Sequence, residues 1–189
     1  GEPTRCQVVH KHKGTLWLEL MATGKTAHGS TPERGENAIV QMAGMVTLLE
    51  EQFSRQLCAE PFHDSTLGRP TMNIGRIHGG TRTNIVPGAC SISVDLRVTP
   101  ALDPGKALTM VRDFVEQHGD GRVSVKAGLS CQPLDTPSEN QYVQRLLALP
   151  CSPGLAGAPW FCDAAVLAGE GGIPAVAAGP GDIAQAHTE

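Results

Sequence analysis

A carboxylate near one end of this chain and an imidazole near the other have the most easily named chemistry. Glu2 stands in GEPT at Gly1–Thr4, and His187 stands in AHTE close to Glu189. Carboxylate oxygen and neutral imidazole are ordinary zinc ligands. Between them lie His28 in the loop KTAHGSTPERGE, Asn84 in GGTRTNIVPG and Arg97 at the end of ACSISVDLRV. A loop histidine is either a solvated surface residue or a donor aimed at developing charge. Arg97 offers a planar fork that matches a carboxylate. A substrate carboxylate and a strand-end salt bridge with Asp95 both remain open as its partner. The adjacent acids Glu50–Glu51 read as a solvated helix end. His10, His12, His63, His78 and His118 are read as surface residues. The chain has no Walker loop, and no dinucleotide-binding glycine fingerprint followed by an acidic residue. Neither phosphoryl nor hydride transfer is therefore signalled.

The elements that must position these residues follow from periodicity. Thr15 to Thr23 (TLWLELMAT) alternates apolar and polar residues, the strand period. After the first loop, Asn37 opens a run with helical spacing at Ile39, Met42, Ala43, Val46, Leu49 and Phe53. Thr71 to His78 alternates again, and Ala89 to Val98 is a clear strand. Pro104 starts a helix whose apolar residues are Leu108, Val111, Phe114 and Val115, and Gly119 to Gly121 closes it. Arg122 to Leu129 is a fourth strand. The order β-α-β-β-α-β is the split pattern of ferredoxin-like sandwiches, with two helices on one face of an antiparallel sheet. Beyond Gln132 the reading is a helix over Tyr142 to Leu149 with Ser138 as N-cap, a helix over Ala164 to Ala168, and a short strand over Ile173 to Ala178. The intervening PCSPGLAGAP reads as turn punctuation with no apolar strand. These pieces cannot enclose a core alone and read as part of an α/β domain. GEPT starts without Met and runs at once into CQVVHKHKG, so the chain reads as one entered midway.

Composition bounds the rest. The 189 residues are 40% apolar and carry a formal charge of −4, with a pI near 6.0. A mildly acidic chain with scattered Lys and Arg argues against nucleic acid as a main partner. No apolar stretch has membrane-spanning length, and no secretory leader is visible. The six cysteines form no C-x-x-C pair, which reads as reduced, buried thiols of a cytoplasmic protein.

Several segments together resemble the two-zinc aminoacylase and carboxypeptidase family of acetylornithine deacetylase and succinyl-diaminopimelate desuccinylase. They are GEPT, KG at Lys13–Gly14, AHGSTPERGENAI, NIGRIHGGTRTNIVPGAC, DLR, CDAA and GPGDIAQAHTE, in that order. The resemblance implies a ferredoxin-like dimerisation lid (14–130) inserted into a catalytic α/β domain. Residues 1–13 and 131–189 would belong to that incomplete catalytic domain. It implies metal ligation by Glu2 and His187, with the other ligands of a dinuclear zinc site (cobalt or manganese being alternatives) and the general base upstream of Gly1. It implies that His28 stabilises the oxyanion in a partner subunit's site, and that Asn84 and Arg97 bind the substrate's carboxylate and carbonyl. Backbone at Gly179 and Gly181 would face the substrate, and Asp163 would support the metal ligands. The implied reaction is hydrolysis of an N-acyl amino acid by a homodimer. The isolated chain is expected to be inactive. GPGDIAQAHTE leans towards the acetylornithine deacetylase side. The alternative is a non-catalytic dimerisation module derived from the same family.

Overall fold

A computed structural model of the chain describes residues 1–185. It is an α+β structure built on two separate sheets. The larger contains β2 (Gly14–Thr23), β3 (Thr71–Gly79), β4 (Ala89–Val98) and β5 (Val123–Cys131) in the order β3-β4-β2-β5, antiparallel throughout. Strict alternation puts Leu16, Leu18, Leu20 and Ala22 of β2 on one face with Cys90, Ile92, Val94, Leu96 and Val98 of β4. That face is covered by α1 (Ala38–Leu48) and, later in the chain, by a second long helix. The α1 helix starts where Asn37 Oδ1 accepts from the Ile39 and Val40 amides, the usual way a side chain satisfies free first-turn donors.

The α1 run does not continue as one regular helix. It passes through a π-helical turn at Leu49–Phe53 into α2 (Ser54–Leu57). The wider turn keeps both Leu49 and Phe53 inside the core. The second long helix, α3 (Pro104–His118), starts with Pro104 and is capped by Asp103, whose carboxylate accepts from the Lys106 amide. Its Val111, Phe114 and Val115 meet the sheet, and Phe53 and Phe114 pack with ring centroids 5.3 Å apart. The expected β-α-β-β-α-β sandwich is therefore present.

The smaller sheet has the order β6-β1-β7, made of β1 (Val8–His12), β6 (Leu134–Asp135) and β7 (Leu155–Ala158). Beside it lie α4 (Gln141–Leu147) and α5 (Ala164–Gly169). Its core is small, gathering Val9, Leu134, Ala158, Cys162, Ala164, Ala165 and Ala177. Two expectations change here. The segment Leu155–Ala158 is a strand, running parallel to β1. Its small residues hide it from a hydrophobicity reading, because the pairing is made by backbone. Ile173 to Ala178 makes one bridge, Val9 with Ala177, instead of a strand. Pro174 has no N–H to give a ladder. The α4 cap is Asn140, which accepts from the Tyr142 amide, while Ser138 bonds the Glu139 carboxylate.

The two sheets are joined by two adjacent crossings, β1 to β2 at Lys13–Gly14 and β5 to β6 through Gln132–Pro133. Gly14 is required there: a Cβ would lie 2.6 Å from the Cys131 carbonyl oxygen and 2.7 Å from the Pro133 nitrogen. His10 and His12 are buried, at 5% and 0% exposure, contrary to their reading as surface residues. They point to one face of the central strand of the small sheet, where Trp160 and Phe161 pack against His12 and the Thr136 carbonyl lies 2.7 Å from His10 Nδ1. All six cysteines are free thiols; Cys90 and Cys162 are buried, but Cys58 and Cys151 are exposed. No helix among the described residues is long and apolar enough to cross a membrane.

Candidate functional site

The candidate residues fall into two groups at opposite ends of the molecule. The first is built on the small sheet. The loop carrying Glu2 is zipped to the loop carrying Gly179 and Gly181. The Thr4 and Cys6 amides donate to the Gly179 carbonyl at 3.2 and 2.8 Å, and the Arg5 amide donates to the Gly181 carbonyl at 2.7 Å. The Gly179 amide donates to Thr4 Oγ1 at 3.1 Å, and Arg5 forms an ion pair with Asp182. Gly179 cannot carry a side chain, because a Cβ would stand 2.7 Å from the Glu2 carbonyl oxygen. Gly181 has φ +87, the left-handed region that favours glycine. Glu2 is half-buried. It lies close enough to act electrostatically on His12 and Cys162. Burial pushes the Cys162 thiol up, with the Glu2 and Asp163 carboxylates adding to the shift. Asp163 is exposed and precedes α5, with its carbonyl accepting from the Val166 and Leu167 amides. A cleft of ≈ 210 Å³ opens beside this loop pair, between Thr4, Arg5, Trp160 and Asp182.

Arg97 belongs to the same end. It is paired in register with Thr15, just past the crossing at Gly14. Its Nε and Nη2 donate to Asp95 Oδ2 at 3.0 and 2.8 Å, so the strand-end salt bridge is present. The Asp95 carboxylate also accepts from Thr15 Oγ1 at 3.2 Å. Close by, Lys13 is buried, and its Nζ donates to the Arg69 carbonyl at 2.6 Å. Burial first, and then the Arg97 charge, hold the Lys13 ammonium below the ordinary lysine value.

His28 and Asn84 occupy the far tip of the large sheet. The two loops are bridged at His28 and Ile85, and the Gly29 amide donates to the Asn84 carbonyl at 2.8 Å. Both side chains are exposed, beside a cleft of ≈ 580 Å³ that runs between Gly29, Asn37, Gly80 and Thr83. The Ser30 amide donates to His28 Nδ1 at 3.2 Å. An acceptor Nδ1 puts the proton of the neutral ring on Nε2, leaving that N–H as a donor on an exposed side chain. From Cys90, at the tip, to Arg97 the strand β4 runs roughly 23 Å at about 3.3 Å per residue. The structure thus brings Glu2, Gly179 and Gly181 together, sets Arg97 at their end, and keeps His28 and Asn84 apart from them. His187 lies outside the described residues.

Among the described residues no group of three or more His, Cys, Asp or Glu side chains gathers as a metal site. Glu2 alone does not fit a dinuclear centre, so the described residues do not by themselves build one. The buried histidines and the charged residues around Lys11 and Lys13 were missed by the sequence reading. The alternation of CQVVHKHKG marks a strand, but what covers its polar positions, Trp160, Phe161 and the Thr136 carbonyl, comes from distant sequence.

The peptidase dimerisation domain family matches residues 10–123. Acetylornithine deacetylase of Yersinia pseudotuberculosis is 36% identical over 130 residues, covering 66% of this chain and 33% of that protein. Acetylornithine deacetylase of Buchnera aphidicola is 29% identical over 193 residues, covering 99% of this chain and 49% of that protein. An M20 family metallo-carboxypeptidase from Sulfolobus solfataricus superposes with a TM-score of 0.71 at 18% identity, over 92% of this chain and 59% of that one. The chain spans about half the length, or less, of the curated relatives it matches.

Proposed function

Because the chain belongs to the M20 aminoacylase and carboxypeptidase family, we propose that it is the lid and C-terminal catalytic part of a divalent-metal-dependent hydrolase acting on the amide bond of N-acyl amino acids. In this reading residues 14–130 form the dimerisation lid. Residues 1–13 and 131–189 belong to the catalytic body. The carrying observation is the two-ended placement. Glu2, Gly179, Gly181 and Arg97 share one end, whereas His28 and Asn84 sit at the other. A single copy cannot bring both ends to one substrate, but two copies joined through the lid can.

The division of labour follows from side-chain chemistry. Glu2 and His187 are the metal ligands that this chain contributes, the remaining ligands lying outside it. Zinc is the expected ion, with cobalt or manganese as alternatives. The metal's contribution is Lewis acidity at the scissile carbonyl. Arg97 binds the substrate carboxylate through the Nη1–Nη2 edge, its Nε–Nη2 edge being held by Asp95. Asn84 donates to a substrate oxygen, and His28 Nε2–H donates to the oxyanion as charge develops. The backbone at Gly179 and Gly181 lines the substrate, and Asp163 supports the metal-binding end. The isolated chain lacks most of the metal site and is inactive in this account. The cytoplasm is its proposed location.

The proposed dimer surface is the β3 edge with the neighbouring flank of α1. That edge is unpaired in one copy, and Ile77 on it and Ile39, which lies against Gly79 at its end, are exposed. An open strand edge is a ready template for pairing. Ile77→Asp with Ile39→Asp is expected to give a monomer by size-exclusion with light scattering. The functional reading itself is tested on the full-length protein by metal analysis and hydrolysis of N-acetyl amino acids. Bound divalent metal and activity, both lost in His187→Ala, support it. No metal and no hydrolysis would leave the non-catalytic dimerisation module as the account.

A further inference from the structure

One loop of the lid reaches across to the small sheet. The polar links start at Lys11, on the central strand β1. Its Nζ sits 3.1 Å from Asp64 Oδ2 and 3.0 Å from Asp135 Oδ1. Asp135 is Lys11's own neighbour in the small sheet, but Asp64 comes from the 63–69 loop between α2 and β3. The Lys11 and Asp64 side chains are only 20% and 10% exposed, so the pair is far better shielded than a surface ion pair. The loop is shaped for this contact. Asp64 Oδ1 accepts from the Thr66 and Leu67 amides at 2.8 and 2.9 Å. Asp64 and Gly68 exchange backbone hydrogen bonds at 2.8 Å each way.

Two further contacts lie alongside. Lys13 Nζ holds the Arg69 carbonyl at 2.6 Å. Thr66 and Leu67 press on β7 at Gly157, where a Cβ would stand 2.5 Å from Thr66 Cγ2 and 2.9 Å from Leu67 Cδ2. Apart from the paired crossings at Gly14 and Pro133, this loop ties the lid to the small sheet. The loop's contacts lie away from the two crossings, so they oppose a rotation of the lid about them.

We infer that the 63–69 loop is a clasp that sets the lid's angle on the catalytic body, and that Lys11 and Asp64 are positioning residues for Arg97. Arg97 rides on the lid sheet beside the crossing, so that angle sets how its guanidinium is turned towards the Glu2 end. The clasp stands on the contacts alone. The positioning role rests on the functional reading above.

The test uses the two exposed native cysteines, Cys58 beside α2 and Cys151 beyond α4, spin-labelled in the full-length protein and diluted with unlabelled protein so that only within-chain distances are read. Asp64→Asn keeps an oxygen for the Thr66 and Leu67 amides and removes the charge facing Lys11. It is expected to shift and broaden the Cys58–Cys151 distance distribution, and to raise KM for an N-acyl amino acid more than it lowers kcat. Lys11→Gln removes the same pair from the other side and should act alike. Asp135→Asn breaks a contact inside the small sheet only and should leave the distribution as in the wild type. A wild-type distribution in both Asp64→Asn and Lys11→Gln, or an equal shift in Asp135→Asn, would overturn the clasp. A shifted distance in a protein with no hydrolysis leaves the clasp standing and removes the functional reading.

Discussion

At the scale of single residues, most of the proposed chemistry depends on donors held ready by short local contacts. The Ser30 amide fixes the His28 tautomer, and Asp95 orients the Arg97 fork. In the full-length enzyme, His28→Ala is expected to lower kcat by about 10²–10³, the usual effect of removing one oxyanion donor. Arg97→Lys should act mainly on KM, since an ammonium cannot replace the two-pronged contact. Steady-state kinetics on an N-acetyl amino acid separates the two effects. The motifs AHGSTPERGENAI and DLR made His28 and Arg97 legible as candidates, since residue type alone leaves His28 a surface histidine, but sequence could not choose between a substrate and Asp95 for the guanidinium. The salt bridge is present, and it leaves Arg97 held at the crossing end of its strand. The burial of His10 and His12 was not legible, because a polar residue on a central strand looks like a surface one until its neighbours are known.

A pH dependence also belongs at this scale. Burial pushes the Asp64 carboxyl up, but the Leu67 and Thr66 amides and the Lys11 ammonium outweigh it and hold the group below the ordinary 3.8. The unfolded chain therefore binds the proton more readily than the folded one. The stabilisation is fully present above that ordinary value and is lost as pH falls through the lower folded value. Chemical unfolding followed down the acid limb should show a shallower loss of stability in Asp64→Asn than in the wild type.

At the scale of elements, the large sheet was legible almost in full, because the two periods change where the turn residues fall. Asn37, Pro104 and Asp103 mark helix starts by chemistry that does not depend on tertiary context. The small sheet was not legible. Leu155–Ala158 pairs through backbone with hardly any side chain to announce it, and Ile173–Ala178 is apolar without forming a ladder. The π-helical turn was also invisible, since Leu49 and Phe53 fit an ordinary helical stripe. Phe53 is fully buried against Phe114. Phe53→Ala should therefore destabilise the lid by about 3–5 kcal/mol, the range for a core aromatic truncated to alanine. Urea unfolding measures this, and a loss well below that range would mean the core closes over the gap.

At the scale of the whole molecule, one chain presents the two proposed halves of the site at opposite ends, and the lid sheet spans the distance between them. The length of β4 makes this more than a loop adjustment. A tilt of the lid about the crossings at Gly14 and Pro133 would move the tip around its own body and would not bring His28 back across the length of the sheet. The account therefore requires a second copy. Subunit mixing tests this most directly. Full-length His28→Ala and Arg97→Ala proteins are each expected to be nearly inactive as homodimers. When they are unfolded together and refolded, a mixed dimer has one site with an intact Arg97 from its own chain and an intact His28 from the other. The account predicts that activity returns on mixing, towards the level set by one good site per mixed dimer. No recovery, in mixtures shown to contain the mixed dimer, would contradict it by placing His28 and Arg97 in the same site of the same chain.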